Sequence, residues 1–311
     1  MRPCTNSPKD QDSAQAVNSV GRVAAEESAM CNEWDRKTLQ TRIRDTGSRV
    51  LYEAGSPNAE EIAAYAAGLP QQPPGGTAIV LGMTPELRFL TTSIFEQVIS
   101  IDRNLAAIEL YADWLPSENR QRETIVHDDW FHISDYVSAP ASAVLGDGVF
   151  GNLPDVATHR RLLTCIATAL SPGGRFVTRK AMVPRDFRAE ENSADRLLHR
   201  FREGEIDESE FGFGVRLLGH YRCCYDPARF LLDNKKLFDE CDRDFRTGKI
   251  TQEELSFIRR YYFSGTNCIV PQALWERILA ECHYDYVTHP CHGKTWYDYY
   301  KVYACTPHPK P

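Results

Sequence analysis

Three things are missing from this 311-residue chain, and each removes a class of protein. No window holds the ~20 consecutive apolar residues of a membrane-spanning helix, and the polar stretch from Met1 to Asn18 lacks the apolar core of a signal peptide. A soluble, cytoplasmic protein with no membrane partner is expected. A basic excess is also missing, since 36 Lys+Arg stand against 43 Asp+Glu for a net charge of -7. Proteins that neutralise nucleic-acid phosphates concentrate positive charge, so no nucleic-acid partner is expected. Finally, the ten cysteines form no C-x-x-C, and the close pair is the adjacent Cys223 and Cys224. Neither a zinc ribbon nor a thioredoxin-like pair is indicated, and the thiols read as reduced, mostly buried small hydrophobes.

What is present is ordinary globular composition, 42% hydrophobic and 25% charged. The length admits two domains or one α/β domain with a large insertion. Residues 1–29 are polar and aperiodic and read as a mobile tail. Residues 30–70 suggest a helical segment: Leu39, Ile43, Val50 and Leu51 give an irregular apolar face, and Ser56 with Pro57 supplies a cap and first-turn proline for a helix ending at Gly68. A Pro/Gly/Gln linker over 70–76 follows. The core is expected over 77–183, with strands at 77–81, 97–101, 123–126, 143–145 and 175–178 and helices at 85–95, 105–114 and 156–170. Strand-helix alternation at this spacing predicts a doubly wound parallel sheet.

Over 184–270 the alternation stops and charge-rich helical sequence takes over. Two segments there resemble each other, one starting at Phe201-Arg-Glu-Gly204 and one at Phe245-Arg-Thr-Gly248. Each reads as a helix end, a glycine turn and a new helix, with a capping box at Thr251 and Glu254. The second copy mimics the back half of a calcium loop, but Arg243, Phe245 and Thr247 stand where acidic ligands are needed, so calcium is not expected. Residues 271–311 supply a helix at 272–280 and an antiparallel pair at 284–288 and 297–304. Cys282, His283, His289, Cys291 and His292 are zinc-type ligands without the regular paired spacing of a closed site, so no metal is expected.

The chemistry concentrates at strand ends. The first strand runs into Gly82, which allows a tight turn and close ligand approach; Thr84, Pro85 and Glu86 then open a helix whose N-terminus faces that gap. Asp102 ends the second strand 20 residues later, a spacing suited to ribose hydroxyls. The third strand ends in His127-Asp128-Asp129-Trp130 and the fourth in Gly146-Asp147-Gly148. Four successive strand ends therefore present glycine or acid on one edge, where open α/β sheets hold ligands. A dinucleotide-binding dehydrogenase would need G-x-G-x-x-G at the first turn, and only Gly82 is present.

On these residues, from about 77 to 181, the chain resembles the class I S-adenosylmethionine-dependent methyltransferases, and Pro172-Gly173-Gly174 looks like the family's turn into strand five. The resemblance implies a Rossmann-like, mostly parallel seven-stranded sheet with an antiparallel last strand, a helical preface, and a helical cap between strands five and six. It implies S-adenosyl-L-methionine as cofactor. Carried over by position, Gly82, Thr84 and Glu86 lie under its methionine part. Asp102, with Arg103 beside it, binds the ribose; Asp128 or Asp129, with Trp130, meets the adenine; and Gly146, Asp147 and Gly148 line the reaction centre. Thr84 and Glu86 replace two family glycines and Val80 replaces the strand-one acid, so Glu86 and Arg88 become the candidates for the cofactor's ammonium and carboxylate.

The implied activity is methyl transfer to an oxygen or nitrogen of a small molecule, secondary metabolites included. The alternatives are a non-catalytic protein that keeps fold and cofactor, and a protein or RNA methyltransferase. The cap supplies His220 as a candidate base, and Tyr261 and Tyr262 as packing residues. Arg179, after strand five, is placed either for an anionic substrate or for a salt bridge. A homo-oligomer is compatible with all of these readings.

Overall fold

The computed structural model describes residues 35–45, 49–70, 76–262 and 264–308. The tail over 1–29 and most of the linker lie outside the described residues.

Seven strands form the central sheet: β1 (Thr77–Leu81), β2 (Gln97–Asp102), β3 (Glu123–His127), β4 (Ala141–Asp147), β5 (Leu170–Ala181), β6 (Tyr284–His289) and β7 (Tyr300–Pro307). Their spatial order is β3-β2-β1-β4-β5-β7-β6. The first five pair in parallel, and β7 runs antiparallel to both β5 and β6. The expected mostly parallel sheet with an antiparallel last strand is thus borne out.

β1 shows why the segment is a strand: Ala78, Ile79, Val80 and Leu81 are all buried, because both faces of the sheet are covered. Ile79 and Leu81 pack with Val144, Phe176, Leu162 and Trp275 on one face; Ala78 and Val80 pack with Leu145, Val177, Tyr65 and Leu87 on the other. Between β1 and β4 the strand order reverses, which opens a crevice at their carboxyl ends.

The N-terminal segment departs from the helical expectation. A short helix, Arg36–Gln40, leads into an antiparallel hairpin of Ile43–Asp45 and Val50–Leu51, and only then comes the helix Ala59–Gly68. Asn58, not Ser56, caps that helix, in a reciprocal box with Glu61. Ser56 instead donates to Glu86 at 2.5 Å.

Residues 184–270 carry four helices of seven residues or more, and the repeated motif is real in three dimensions. The helix Ala194–Arg202 turns at Gly204 (φ +76°) into Glu208–Gly214; Asn234–Arg246 turns at Gly248 (φ +75°) into Gln252–Arg259. Both second helices open with capping boxes, Asp207 with Glu210 and Thr251 with Glu254. The copies lock together where Arg202 grips Glu254 with two bonds of 2.8 and 2.9 Å. A small three-stranded sheet, Tyr225–Asp226, Leu231–Asp233 and Thr266–Cys268, was not foreseen. Among the described residues no helix is long and apolar enough to cross a membrane.

Candidate active site

A cavity of about 190 Å³ lies at the carboxyl ends of β1, β2 and β4. Its floor is the turn after β1. Gly82 adopts φ +100°, and its N–H donates to the Ile101 carbonyl at 2.8 Å, which binds this turn to β2. A Cβ at Gly82 would stand 3.8 Å from Asp102 Oδ2 and 4.0 Å from the Trp130 ring. Three residues singled out in the sequence therefore converge on one point, with an open backbone between them. Trp130 is held by its indole N–H, which donates to the Ile101 carbonyl at 2.9 Å. Asp102 accepts from the Asn104 N–H at 2.8 Å, yet burial pushes its carboxyl up to about 6. Met83, Thr84 and Pro85 continue the floor into the N-terminus of the helix Pro85–Ile94.

At the end of β4, Asp147 takes two bonds from Arg179, 2.8 and 3.0 Å, and one from the Tyr300 hydroxyl at 3.3 Å. Arg179 also donates to Glu61 at 2.8 Å, and its guanidinium lies 4.0 Å from the centre of the Tyr300 ring. Burial opposes the Arg179 charge, but Asp147 and Glu61 outweigh it and its pKa is raised. Of the two readings for Arg179, the salt bridge is the one formed.

No protein-family model matches the chain, and no curated protein matches it. Among solved structures, the CcbJ methyltransferase from Streptomyces caelestis shares 12% identity, with 88% of this chain and 99% of that one covered, at a TM-score of 0.52. The mitomycin 7-O-methyltransferase MmcR is similar over 80% of this chain and 54% of its own, at 13% identity and TM-score 0.46. This chain thus spans about half the length of MmcR. The glycopeptide N-methyltransferase MtfA, complexed with S-adenosyl-L-methionine, matches over 83% and 90%, at 15% identity and TM-score 0.47.

The fold is that of a class I methyltransferase.

On this methyltransferase fold the remaining expected residues separate into two groups. Gly148 (φ +62°) lines the cavity beside Asp147, whereas the Gly146 carbonyl accepts from the Tyr65 hydroxyl at 2.9 Å, beneath it. Glu86 is half-buried behind Ser56, a cavity residue, and the loss of water around its carboxyl raises its pKa. Asp129 caps the 3-10 turn Trp130–Tyr136 and lies 3.5 Å from Arg103; Asp128 is bound by His132 and Tyr136.

Two candidates sit elsewhere. Arg88 points away from the cavity: two 2.7 Å bonds to Glu123 and one to the Tyr111 carbonyl consume its guanidinium, which corrects its expected contact with the cofactor. Arg88 is buried, and its partners come from the first residue of β3 and from the Tyr111 carbonyl. His220 lines a separate, smaller cavity within residues 184–270, with Nε2 3.7 Å from Cys241 Sγ, and burial lowers its pKa. Among the described residues, His220, Cys223 and Glu240 form the group whose metal-type ligand atoms lie within 4.8 Å of one another. The Cys282–His292 set is divided by β6, which puts Cys282 and His283 at one end and Cys291 at the other.

The sequence reading named Tyr261 for packing alone and did not single out Arg42, Leu51 or Arg216 for the site. Arg42 and Leu51 of the N-terminal segment, and Phe213, Arg216 and Tyr261 of residues 184–270, close over the strand ends. Burial pushes the Arg42 guanidinium down to about 10 and that of Arg216 to about 9, the latter with a contribution from Arg42. The one signal available was Arg216 itself, a lone charge in the apolar run Val215-Arg-Leu-Leu218.

Proposed function

We propose that the chain is an S-adenosylmethionine-dependent methyltransferase acting on an oxygen or nitrogen of a small molecule, of the kind made in secondary metabolism. The observation that carries this reading is the convergence of Gly82, Asp102 and Trp130 on one open point of the cavity floor. A cofactor bound there supplies an electrophilic methyl group on a sulfonium.

The chain's residues do the rest. Asp102 accepts from the ribose hydroxyls, Gly82 lets the ligand approach the backbone, and Trp130 covers the adenosine with Asp128 or Asp129 at its edge. Arg42 replaces Arg88 as the partner for the amino-acid carboxylate: it lines the same cavity as the turn after β1, and opposite charges gain most where water is excluded. Residues 184–270 and the hairpin of the N-terminal segment form the cover that positions the acceptor and excludes water, which is the main requirement of an in-line displacement. An amine acceptor arriving neutral needs no base. For a hydroxyl, the carboxylate at the end of β4 is Asp147, fixed by Arg179 and Tyr300.

Isothermal calorimetry with S-adenosylmethionine and S-adenosylhomocysteine tests the premise: both bind, and failure of both overturns the proposal. Turnover of methyl-labelled cofactor with a metabolite extract then separates an enzyme from a protein that only binds.

A further inference from the structure

We propose that His220, Cys223 and Glu240 form a binding site for a divalent cation of the zinc class, one that takes nitrogen, sulfur and oxygen ligands together. The site is separate from the main cavity and does not depend on the methyltransferase reading.

Two segments build it. The π-helical turn Val215–Gly219 leads into His220, and the short helix Tyr221–Cys224 starts from there, with the Cys223 and Cys224 N–H groups donating to the His220 carbonyl at 3.2 and 2.9 Å. Single π-helical turns are rare and occur disproportionately at functional sites. Residues three apart on a helical turn share a face, and the Cys223 thiol donates to the His220 carbonyl at 3.4 Å. Glu240 comes from the middle of the helix Asn234–Arg246. One ligand atom of each residue lies within 4.8 Å of the other two. Zinc bonds of about 2.0–2.3 Å place ligand atoms roughly 3–4 Å apart, so modest side-chain rotations close the three around one ion.

The donor set names the ion. Calcium and magnesium take oxygen ligands, whereas imidazole and thiolate suit zinc. Burial holds the His220 imidazole below its usual pKa, which keeps it neutral with a lone pair to give. Cys223 is exposed, so as the ion binds, the S–H bond is replaced by a sulfur–metal bond and the proton passes to water. Arg243 donates to both oxygens of Glu240, one bond being 3.2 Å. A carboxylate offers about four lone-pair sites, and ligating carboxylates are commonly hydrogen-bonded in this way, so Arg243 orients the ligand and leaves it room to bind. Two more sulfurs border the set: Cys224 Sγ lies 3.4 Å from Cys223 Sγ, and Cys241 Sγ lies 3.7 Å from His220 Nε2. Three protein ligands leave the fourth tetrahedral position to water or to one of these thiols. Leu217, in the same π-helical turn, lines the main cavity. An ion at His220 therefore braces part of that cavity's wall.

The test is a titration of the full chain, stripped of metal and reduced with a phosphine under argon, first with Co2+ and then with Zn2+. One equivalent of Co2+ is expected to raise a thiolate-to-cobalt charge-transfer band, and one equivalent of Zn2+ to abolish it. Cys223→Ser removes the band, and His220→Ala and Glu240→Gln each weaken Zn2+ binding roughly tenfold or more. Cys291→Ser, in the other Cys/His-rich region, changes neither reading. Zn2+ at about a hundred times its Kd raises the melting temperature by several degrees. No band in the native chain, a band kept in Cys223→Ser, or a band lost in Cys291→Ser overturns the proposal. The native titration needs no variant, so a substitution that fails to fold leaves the proposal refutable. No step uses S-adenosylmethionine, and failure of that cofactor to bind would count against the methyltransferase reading alone.

Discussion

Replacing Asp102 with asparagine should move stability and binding in opposite directions. Burial raises its carboxyl from 3.8 to about 6, so its ionised form at neutral pH costs the fold roughly 3 kcal/mol at 1.36 kcal/mol per pKa unit. The substituted amide would keep an oxygen to accept from the Asn104 N–H and would carry no charge. The ligand-free Asp102→Asn protein should therefore be more stable at pH 7 by up to about 3 kcal/mol, on the order of 5 °C in Tm. The folded pKa lies above the unfolded one. The native protein's stability is thus fully present below about pH 4 and lost as pH rises through about 6, so the advantage of the variant grows over that interval. Binding runs the other way, because each hydrogen bond from a ribose hydroxyl to a charged acceptor contributes about 1.5–3 kcal/mol. S-adenosylhomocysteine affinity should fall by one to two orders of magnitude. Melting curves across this pH range without ligand, with calorimetry at pH 7, check both halves. A variant that melts lower at pH 7, or binds as the native protein does, refutes the placement of Asp102 as a buried ribose acceptor.

Two further predictions concern the neighbours of the site. A Cβ at Gly148 would fall 2.6 Å from the Tyr300 hydroxyl in a left-handed backbone; Gly148→Ala should displace Tyr300 from Asp147 and lower turnover of labelled cofactor, with S-adenosylhomocysteine affinity retained. Equal loss of both would refute a role on the acceptor side. Lys180 is fully buried, donates to the Cys268 carbonyl at 3.3 Å, and burial lowers its pKa from 10.5 to about 8. Its charged form opposes folding, so native stability rises as pH climbs from about 8 toward 10.5. Lys180→Met should gain about 2 kcal/mol at pH 7 after the lost hydrogen bond is counted, and a gain that does not shrink by pH 10.5 would contradict this.

The strand ends of the site were legible because short-range chemistry sets them. Gly82 and Gly148 need backbone angles other residues avoid, Asp102 ends a strand at a telling spacing, and the apolar runs of β1, β2 and β4 are buried on both faces. Arg88 was misread for the opposite reason: its partners Glu123 and the Tyr111 carbonyl come from elsewhere in the chain, and no local pattern foretells them. The same holds for Arg42, which enters the cavity from a hairpin whose strands are two and three residues long. That is too short to display a period of two. Ser56 and Asn58 both carry capping chemistry; Asn58 prevails because Glu61 returns the bond to its N–H, and Ser56 is taken by Glu86. β7 begins at Tyr300 rather than 297, since Trp296 and Tyr297 bury themselves in a 3-10 turn first.

Glu61 has a consequence for how the protein is made. It is wholly buried, and its Oε1 accepts from Arg179, 118 residues later, and from the indole of Trp296, 235 residues later. During synthesis the helix Ala59–Gly68 emerges before both partners: Arg179 follows only with β5, and the indole later still. Closing such long loops slows folding. The Arg179 site is thus begun long before it is completed, and a chain without that helix would leave Arg179 inside the protein with a single carboxylate.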